Sequence, residues 1–208
     1  MSDGQPVIYI VDDDESVRRA VSLLLKSHGF RVETFKRAEE FLVFKHFKTS
    51  SCLVLDVRLP GFNGLTLQKK MTERGIAIPI VFITGYGDIP MSVKAMSQGA
   101  VDFLSKPFTA RKLLNAIERA VSRNKKRIKE RAEIEKIKQR VKTLSPSEFE
   151  VFQFVAKGML NKQIALKRGT VLQTIKVQRA SVMRKMQAKT VTELIHLAQK
   201  AGVTSPKD

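Results

Sequence analysis

The sequence predicts an α/β protein, a doubly wound parallel sheet followed by a small all-helical unit. Two observations in the first 120 residues carry the sheet. Strand-like and helix-like patterns alternate five times, and the central strand candidates are near-continuous apolar runs, as strands covered on both faces require. The third observation lies beyond residue 143, where only helical patterns remain, cut into short pieces by glycines.

The strand candidates are VIYIV at 7–11, RVETF at 31–35, CLVLD at 52–56, IPIVFIT at 78–84 and VDFLS at 101–105. Between them lie ESVRRAVSLLLKSHG, with Gly29 as its stop, then AEEFLVFKHF, GLTLQKKMTERG and PMSVKAMSQG, and a fifth helix beginning near Thr109. Val17, Val21, Leu24 and Leu25 recur at helical spacing and read as core. After Leu113, Leu114, Ile117 and Val121 the fifth helix meets no glycine or proline through RNKKRIKERAEIEKIKQRVKTL, which is rich in helix formers. A long helix or helical linker follows. Ile134, Ile137, Val141 and Leu144 keep a spacing of three and four, but the six-residue gap back to Ile128 breaks any heptad. Ser145 and Pro146 then form a cap and a first-turn proline. Four helices are expected, at about 146–157, at 161–168 capped by Asn161, at 171–186 and at 190–201, with Gly158, Gly169 and Gly202 as stops. The domain reading is therefore 1–121, a helical linker 122–143, and 144–208.

Charge divides the chain the same way. Lys+Arg number 38 against 20 Asp+Glu, a net +18. Residues 1–120 hold 17 and 13 (+4), residues 121–142 hold 10 and 3 (+7), and residues 143–208 hold 11 and 4 (+7). A strongly basic C-terminal part beside a near-balanced first part points to a polyanion, with nucleic acid ahead of an anionic membrane surface. The longest apolar runs are too short to span a bilayer, and the acidic start lacks a signal peptide's layout, so a soluble cytoplasmic protein is expected. Cys52, the one cysteine, has no partner for an internal disulfide and no metal-ligand spacing.

The chemistry gathers at strand ends. A doubly wound parallel sheet binds ligands outside the carboxyl ends of its strands, where the strand order reverses. With the order 2-1-3-4-5, Asp12 and Asp13 after the first strand and Asp56 ending the third would converge there. Three carboxylates need a cation, and a hard, oxygen-preferring ion such as Mg²⁺ fits. Thr84 and Lys106 fall at the ends of the fourth and fifth strands. A carboxylate beside a divalent cation, an ammonium and a hydroxyl is equipped to accept a phosphoryl group and hold the acyl phosphate.

These residues carry a resemblance. VDDD, LDVRLPGFNG, ITGYGD and DFLSKPF resemble the receiver domain of bacterial response regulators, which implies the flavodoxin-like order 2-1-3-4-5. The resemblance implies Asp56 as phosphoacceptor, Asp12 and Asp13 as Mg²⁺ carboxylates, the Arg58 main-chain carbonyl as a further metal ligand, Thr84 as switch hydroxyl and Lys106 as the phosphate-pairing lysine. It also places Phe103 at the family's rotating aromatic and implies a cis Lys106-Pro107 bond. Residues 144–201, from LSPSEFEVFQFVAKGMLNKQIALKRG to TIKVQRASVMRKM, resemble the LuxR-type helix-turn-helix, so the whole chain is similar to the NarL/FixJ class. The layout is also similar to regulators of aromatic-hydrocarbon catabolism of the StyR and TodT kind.

A recognition helix over 171–186 follows. The resemblance implies that Lys176 and Val177 reach bases, and Gln178 and Arg179 bases or backbone, with Arg184 and Lys185 also expected to face DNA. Val155, Ile164, Ala165, Ile175, Met183 and Met186 read as core. Four positions depart from the LuxR pattern. Arg168 stands where an apolar residue is usual, Val171 replaces a capping Ser and leaves Thr170 as substitute, Gln178 replaces His, and Phe149 replaces a charged residue.

The expected protein is a transcription factor phosphorylated by a sensor histidine kinase, a homodimer once phosphorylated, binding promoter half-sites and meeting RNA polymerase, without a membrane. The mobile TGYGDIP loop, with Gly85 and Gly87, would move with Phe103. An aspartyl-phosphate phosphohydrolase is disfavoured because Arg58 occupies the place of its usual second acid. A phosphate-independent binding module is the other rival.

Overall fold

The computed structural model describes residues 5–47, 50–85 and 89–203. They form two compact units that divide between Ile128 and Lys129. Tyr86, Gly87 and Asp88, part of the loop expected to move, lie outside the described residues.

In the first unit, strands β1 (Val7–Val11), β2 (Arg31–Phe35), β3 (Ser51–Asp56), β6 (Ile80–Thr84) and β7 (Asp102–Ser105) pair in parallel in the order β2-β1-β3-β6-β7. This is the expected 2-1-3-4-5. Helices α1 (Glu15–Ser27), α2 (Ala38–Val43), α3 (Gly64–Glu73), α4 (Ile89–Ser97) and α5 (Ala110–Lys142) connect them and continue beyond the last strand. The pleat explains the two cores. Val7, Tyr9, Val11, Leu53, Leu55, Ile80 and Phe82 face one side, packed with Phe41, Leu67, Met71 and Ala95 of α2, α3 and α4. Ile8, Ile10, Cys52, Val54, Val81 and Ile83 face the other, packed with Val21 and Leu25 of α1 and Leu113 and Ile117 of α5. Both faces are covered, which is why the central strands carry no polar alternation. Burial holds the Cys52 thiol well above its ordinary range, so it packs rather than reacts.

Two details differ from expectation. Helix α2 ends at Val43, because Phe44 and Phe47 leave the helix to pack against Tyr9, Phe47 edge-on to it and also against Phe41. After β3 the chain forms a small antiparallel hairpin, β4 (Arg58–Leu59) against β5 (Phe62–Asn63), with Gly61 at φ +70° in its turn.

The second unit holds α6 (Pro146–Ala156), α7 (Asn161–Lys167), α8 (Leu172–Met186) and α9 (Val191–Ala201). Its core joins Val151, Phe152, Val155, Ile164, Ile175, Val182, Met186, Leu194 and Ala198. Ser145 caps α6 with Pro146 as its first residue, as expected, and Glu148 completes a reciprocal capping box with Ser145. The end of α5 contributes to the same core, with Ile137 buried and Val141 and Leu144 against it, so the segment expected as linker also serves as a packing element. The caps of α7 and α8 differ from expectation. Asn161 is the first helical residue of α7, and Leu160 occupies the cap, its N–H donating to Gln163 Oε1 at 2.8 Å. Thr170 does not cap α8; the cap is Val171, without a side-chain bond, and the Thr170 N–H donates to Ala165 O at 3.0 Å instead.

Ile137→Ala is expected to destabilise the helical unit by about 2–5 kcal/mol, the cost of a core truncation, although Ile137 lies outside the four short helices. Denaturant unfolding of the full chain, followed by helical circular dichroism, checks this.

Candidate functional site

The carboxyl edge of the parallel sheet carries the first site. β1 ends in Val11, and the next three residues are aspartates with different tasks. Asp14 caps α1, its Oδ1 accepting from the Ser16 and Val17 N–H groups at 2.8 and 3.3 Å. That leaves Asp12 and Asp13 for the crevice. Asp12 is fully buried, its Oδ1 accepting from the Asp14 N–H at 2.9 Å, and its main-chain oxygen accepts from Arg18 Nη1 at 2.7 Å. Asp56, the last residue of β3, is also buried, and its Oδ1 accepts from the Arg58 N–H at 3.0 Å. Lys106 follows β7 and spans the pair, its Nζ donating to Asp12 Oδ2 at 2.8 Å and to Asp56 Oδ2 at 2.7 Å. The Lys106 N–H is itself held by Thr84 O at 2.6 Å, which ties the ends of β6 and β7 together, and the Lys106-Pro107 bond is cis.

The electrostatics follow from burial. Desolvation pushes the Asp12 carboxyl up, against the pull of Lys106 and the Asp14 N–H. Burial would lower the Lys106 ammonium, but its bonds to Asp12 and Asp56 outweigh this and raise it. The lysine therefore stays charged between two carboxylates. Oxygens of Asp12, Asp13 and Asp56 lie within 4.8 Å of one another, an all-oxygen donor set of the kind a hard divalent cation takes.

Gly64 keeps the floor of this site in place. A Cβ there would stand 2.4 Å from Asp56 O and 3.1 Å from Val57 Cα, so only glycine admits the turn that returns the chain from the hairpin into α3. Its N–H donates to Val57 O at 2.9 Å. Thr84 is fully buried at the end of β6, and Phe103, half-buried in β7, has its ring 6.2 Å from that of Phe82. All five strand-end residues named from sequence thus lie along one edge of the sheet, and three of them are bonded directly through Lys106. The hairpin that carries Arg58, paired in register with Asn63, was not foreseen.

The second site is the surface of α8. Gln173, Lys176, Val177, Ala180 and Arg184 are exposed and share one face, at intervals of three, one, three and four residues. Gln173 and Ala180 were missed from sequence, where neither carries charge; the helical period through Lys176 and Arg184 would have found both. Three residues expected to face DNA also bond within the domain. Lys185 Nζ donates to Glu148 Oε2 at 2.6 Å and to Thr143 O at 3.1 Å. Gln178 bonds through both ends of its amide to Ser147 and Arg168. Arg179 Nη1 donates to Asn161 Oδ1 at 2.5 Å, joining α8 to the start of α7. Glu148 is the hub of this seam, accepting from Ser181 Oγ at 2.7 Å and from the Ser145 N–H at 2.7 Å as well as from Lys185.

Comparison with known proteins gives the family of each unit. Residues 8–118 match the response regulator receiver domain, and residues 142–198 match the bacterial regulatory proteins of the luxR family. The chain belongs to the response regulators, of the NarL/FixJ class, with a receiver domain followed by a LuxR-type DNA-binding domain. It is 44% identical over 199 residues to Nodulation protein W of Bradyrhizobium diazoefficiens, covering 96% of this chain and 88% of that protein. It is 42% identical over 200 residues to the response regulator protein TodT of Pseudomonas putida, covering 96% and 88%. The low-resolution structure of the response regulator StyR superposes with a TM-score of 0.81 at 43% identity, covering 95% of this chain and all of that one. The family is one of transcription regulators, whose architecture implies a partner kinase and DNA. Receiver domains typically bind Mg²⁺ in an acidic pocket, and here that pocket is the cluster of Asp12, Asp13 and Asp56. Among the described residues no helix is long and apolar enough to cross a membrane.

Lys185, Ser181 and the Ser145 N–H hold the Glu148 carboxyl down to about 2, against an ordinary 4.5. The unfolded chain takes up a proton at Glu148 below about pH 4.5 while the folded one stays ionised, so this contribution is present above pH 4.5 and lost on falling toward pH 2. Glu148→Gln is expected to be less stable than the natural protein at pH 6, and thermal unfolding should show the difference shrinking toward pH 3.

Proposed function

We propose that Asp56 is the phosphoacceptor of a two-component switch, and that Lys106, bonded to both Asp56 and Asp12 across the sheet edge, is the observation that carries this reading. A partner histidine kinase presents a phosphohistidine. A carboxylate oxygen of Asp56 attacks phosphorus, the P–N bond breaks, and the imidazole leaves. Lys106 then exchanges a carboxylate for a phosphoryl oxygen, and the Thr84 hydroxyl donates to another. Mg²⁺ held by Asp12, Asp13, Asp56 and the Arg58 main-chain carbonyl would neutralise charge on the transferred group. The product adds a charge of about −1.5 to −2 at pH 7. That charge draws Thr84 and Lys106 inward and turns Phe103. The same pocket supports slow autodephosphorylation by water, without making the protein an enzyme of turnover.

The output is homodimerisation through the face that includes α4, β7 and the receiver part of α5, which aligns two helix-turn-helix domains with half-sites about 34–36 Å apart or a multiple of that. Lys176 and Val177 read bases, with Arg184 and Arg179 toward phosphate. We place 1–121 as receiver, 122–143 as the helical connection and 144–208 as the DNA-binding region. A cytoplasmic protein that contacts RNA polymerase at genes of aromatic-compound catabolism fits its likeness to StyR and TodT.

Incubation with acetyl phosphate and Mg²⁺, followed by intact mass measurement, is expected to give one phosphate adduct that is lost in Asp56→Ala. No adduct would favour a phosphate-independent module, and steady turnover of phosphate esters a phosphohydrolase. Lys176→Ala is expected to weaken specific binding by roughly 1–3 kcal/mol with little change in non-specific binding. An equal loss on all duplexes, measured by fluorescence anisotropy, would remove Lys176 from base reading.

A further inference from the structure

Arg168, one of the departures from the LuxR pattern, has an unusual set of partners. It closes α7 at its C-cap, yet its guanidinium reaches both α6 and α8. Nη1 donates to Gln178 Oε1 at 2.7 Å and Nη2 to Ser147 Oγ at 2.9 Å, while Nε lies 3.0 Å from Glu150 Oε2. Gln178 Nε2 also donates to Ser147 Oγ, at 2.6 Å. The three side chains therefore form a closed ring. Arg168 has only donors, so the atom of Gln178 facing it must be oxygen, and the amide cannot turn over without placing its NH₂ against the guanidinium. Glu150 balances the charge.

The ring engages a particular edge of Gln178. Oε1 and Nε2 are both directed to one pair of neighbours, Arg168 and Ser147, through the edge that a glutamine uses to pair with adenine N6 and N7. One amide edge cannot serve both. Gln178 borders the exposed face of α8, directly after Val177, so its release would bring a new reader to DNA.

We propose that Arg168, with Ser147, is a specificity-determining positioning residue that holds Gln178 out of base recognition and leaves reading to the exposed stripe of α8. This rests on the reading of α8 as the recognition helix. An apolar residue at 168 offers Gln178 no donor and would free the amide edge for a base. The replacement of His by Gln at 178 and the arrival of Arg at 168 are then one change in two places.

The test uses the full chain with acetyl phosphate and Mg²⁺, selecting from a library of duplexes with a randomised centre. The natural protein and Gln178→Ala are expected to select the same sequences. Arg168→Leu should acquire a preference for adenine at one added position, by about 5- to 150-fold as a bidentate pair provides. The double variant Arg168→Leu/Gln178→Ala should lose it. Circular dichroism establishes that each variant is folded. Should Arg168→Leu not fold, Ser147→Ala, which opens the Nε2 half of the edge, should show the same preference more weakly. The proposal is overturned if Gln178→Ala alone alters the selected sequence, if folded Arg168→Leu or, in its place, Ser147→Ala selects as the natural protein does, or if the new preference survives in the double variant. A Lys176→Ala arm judges the recognition-helix reading separately, because it should lose preferences that all the Gln178 variants keep.

Discussion

The first unit depends on one ammonium group placed between two buried carboxylates. Burying Asp12 and Asp56 side by side in a low-dielectric crevice is costly, since each loses hydration and each repels the other. Lys106 offsets both effects, at 2.7 and 2.8 Å from their oxygens. It can do so only because β7 ends where β6 ends, with the Lys106 N–H fixed on Thr84 O. The register of the parallel sheet and the chemistry of its edge are thus the same constraint. A slip between β6 and β7 would withdraw the cation and leave two buried charges opposed.

The second unit uses a comparable device with a different result. α8 must expose a face of mixed polarity while keeping Ile175, Val182 and Met186 in the core. Its flanks are held by side chains rather than by apolar packing alone. Glu148 gathers Ser181 and Lys185, Ser147 and Arg168 gather Gln178, and Asn161 takes Arg179. Each bond fixes the rotation of α8 about its own axis, and that rotation decides which residues stand outward. The orientation of α8 is set by such polar ties as much as by its core, because apolar contacts are non-directional and tolerate small rotations.

Much of the fold was legible in the residues. Near-continuous apolar runs, helical spacing and glycine stops located all five parallel strands and every helix to within a few residues. The exceptions have physical causes. The β4–β5 hairpin is too short to show a period, and α2 ends early because two phenylalanines gain more by joining an aromatic cluster around Tyr9 than by extending a helix. Asn161 and Thr170 looked like caps by residue type, but a cap is defined by backbone position, which residue type alone does not specify. At the site, Asp12, Asp56 and Lys106 were legible because strand ends are predictable from strand lengths. The bonds of Gln178 and Lys185 within the domain were not legible because their partners lie 31 and 37 residues away, on another helix.

Sequence by itself determined the order of elements, the acids and the lysine at the strand ends, the basic helical unit and the class of protein. The order of elements, the strand-end residues and the basic unit follow from periodicity, spacing and charge, which are local and survive without knowledge of neighbours, and the class follows from the resemblance its motifs carry. Tertiary structure alone decided that Asp14 caps α1, why residue 64 must be glycine, and that Arg168 holds Gln178. Those outcomes depend on distances between segments far apart in the chain, and a distance exists only once the chain has folded.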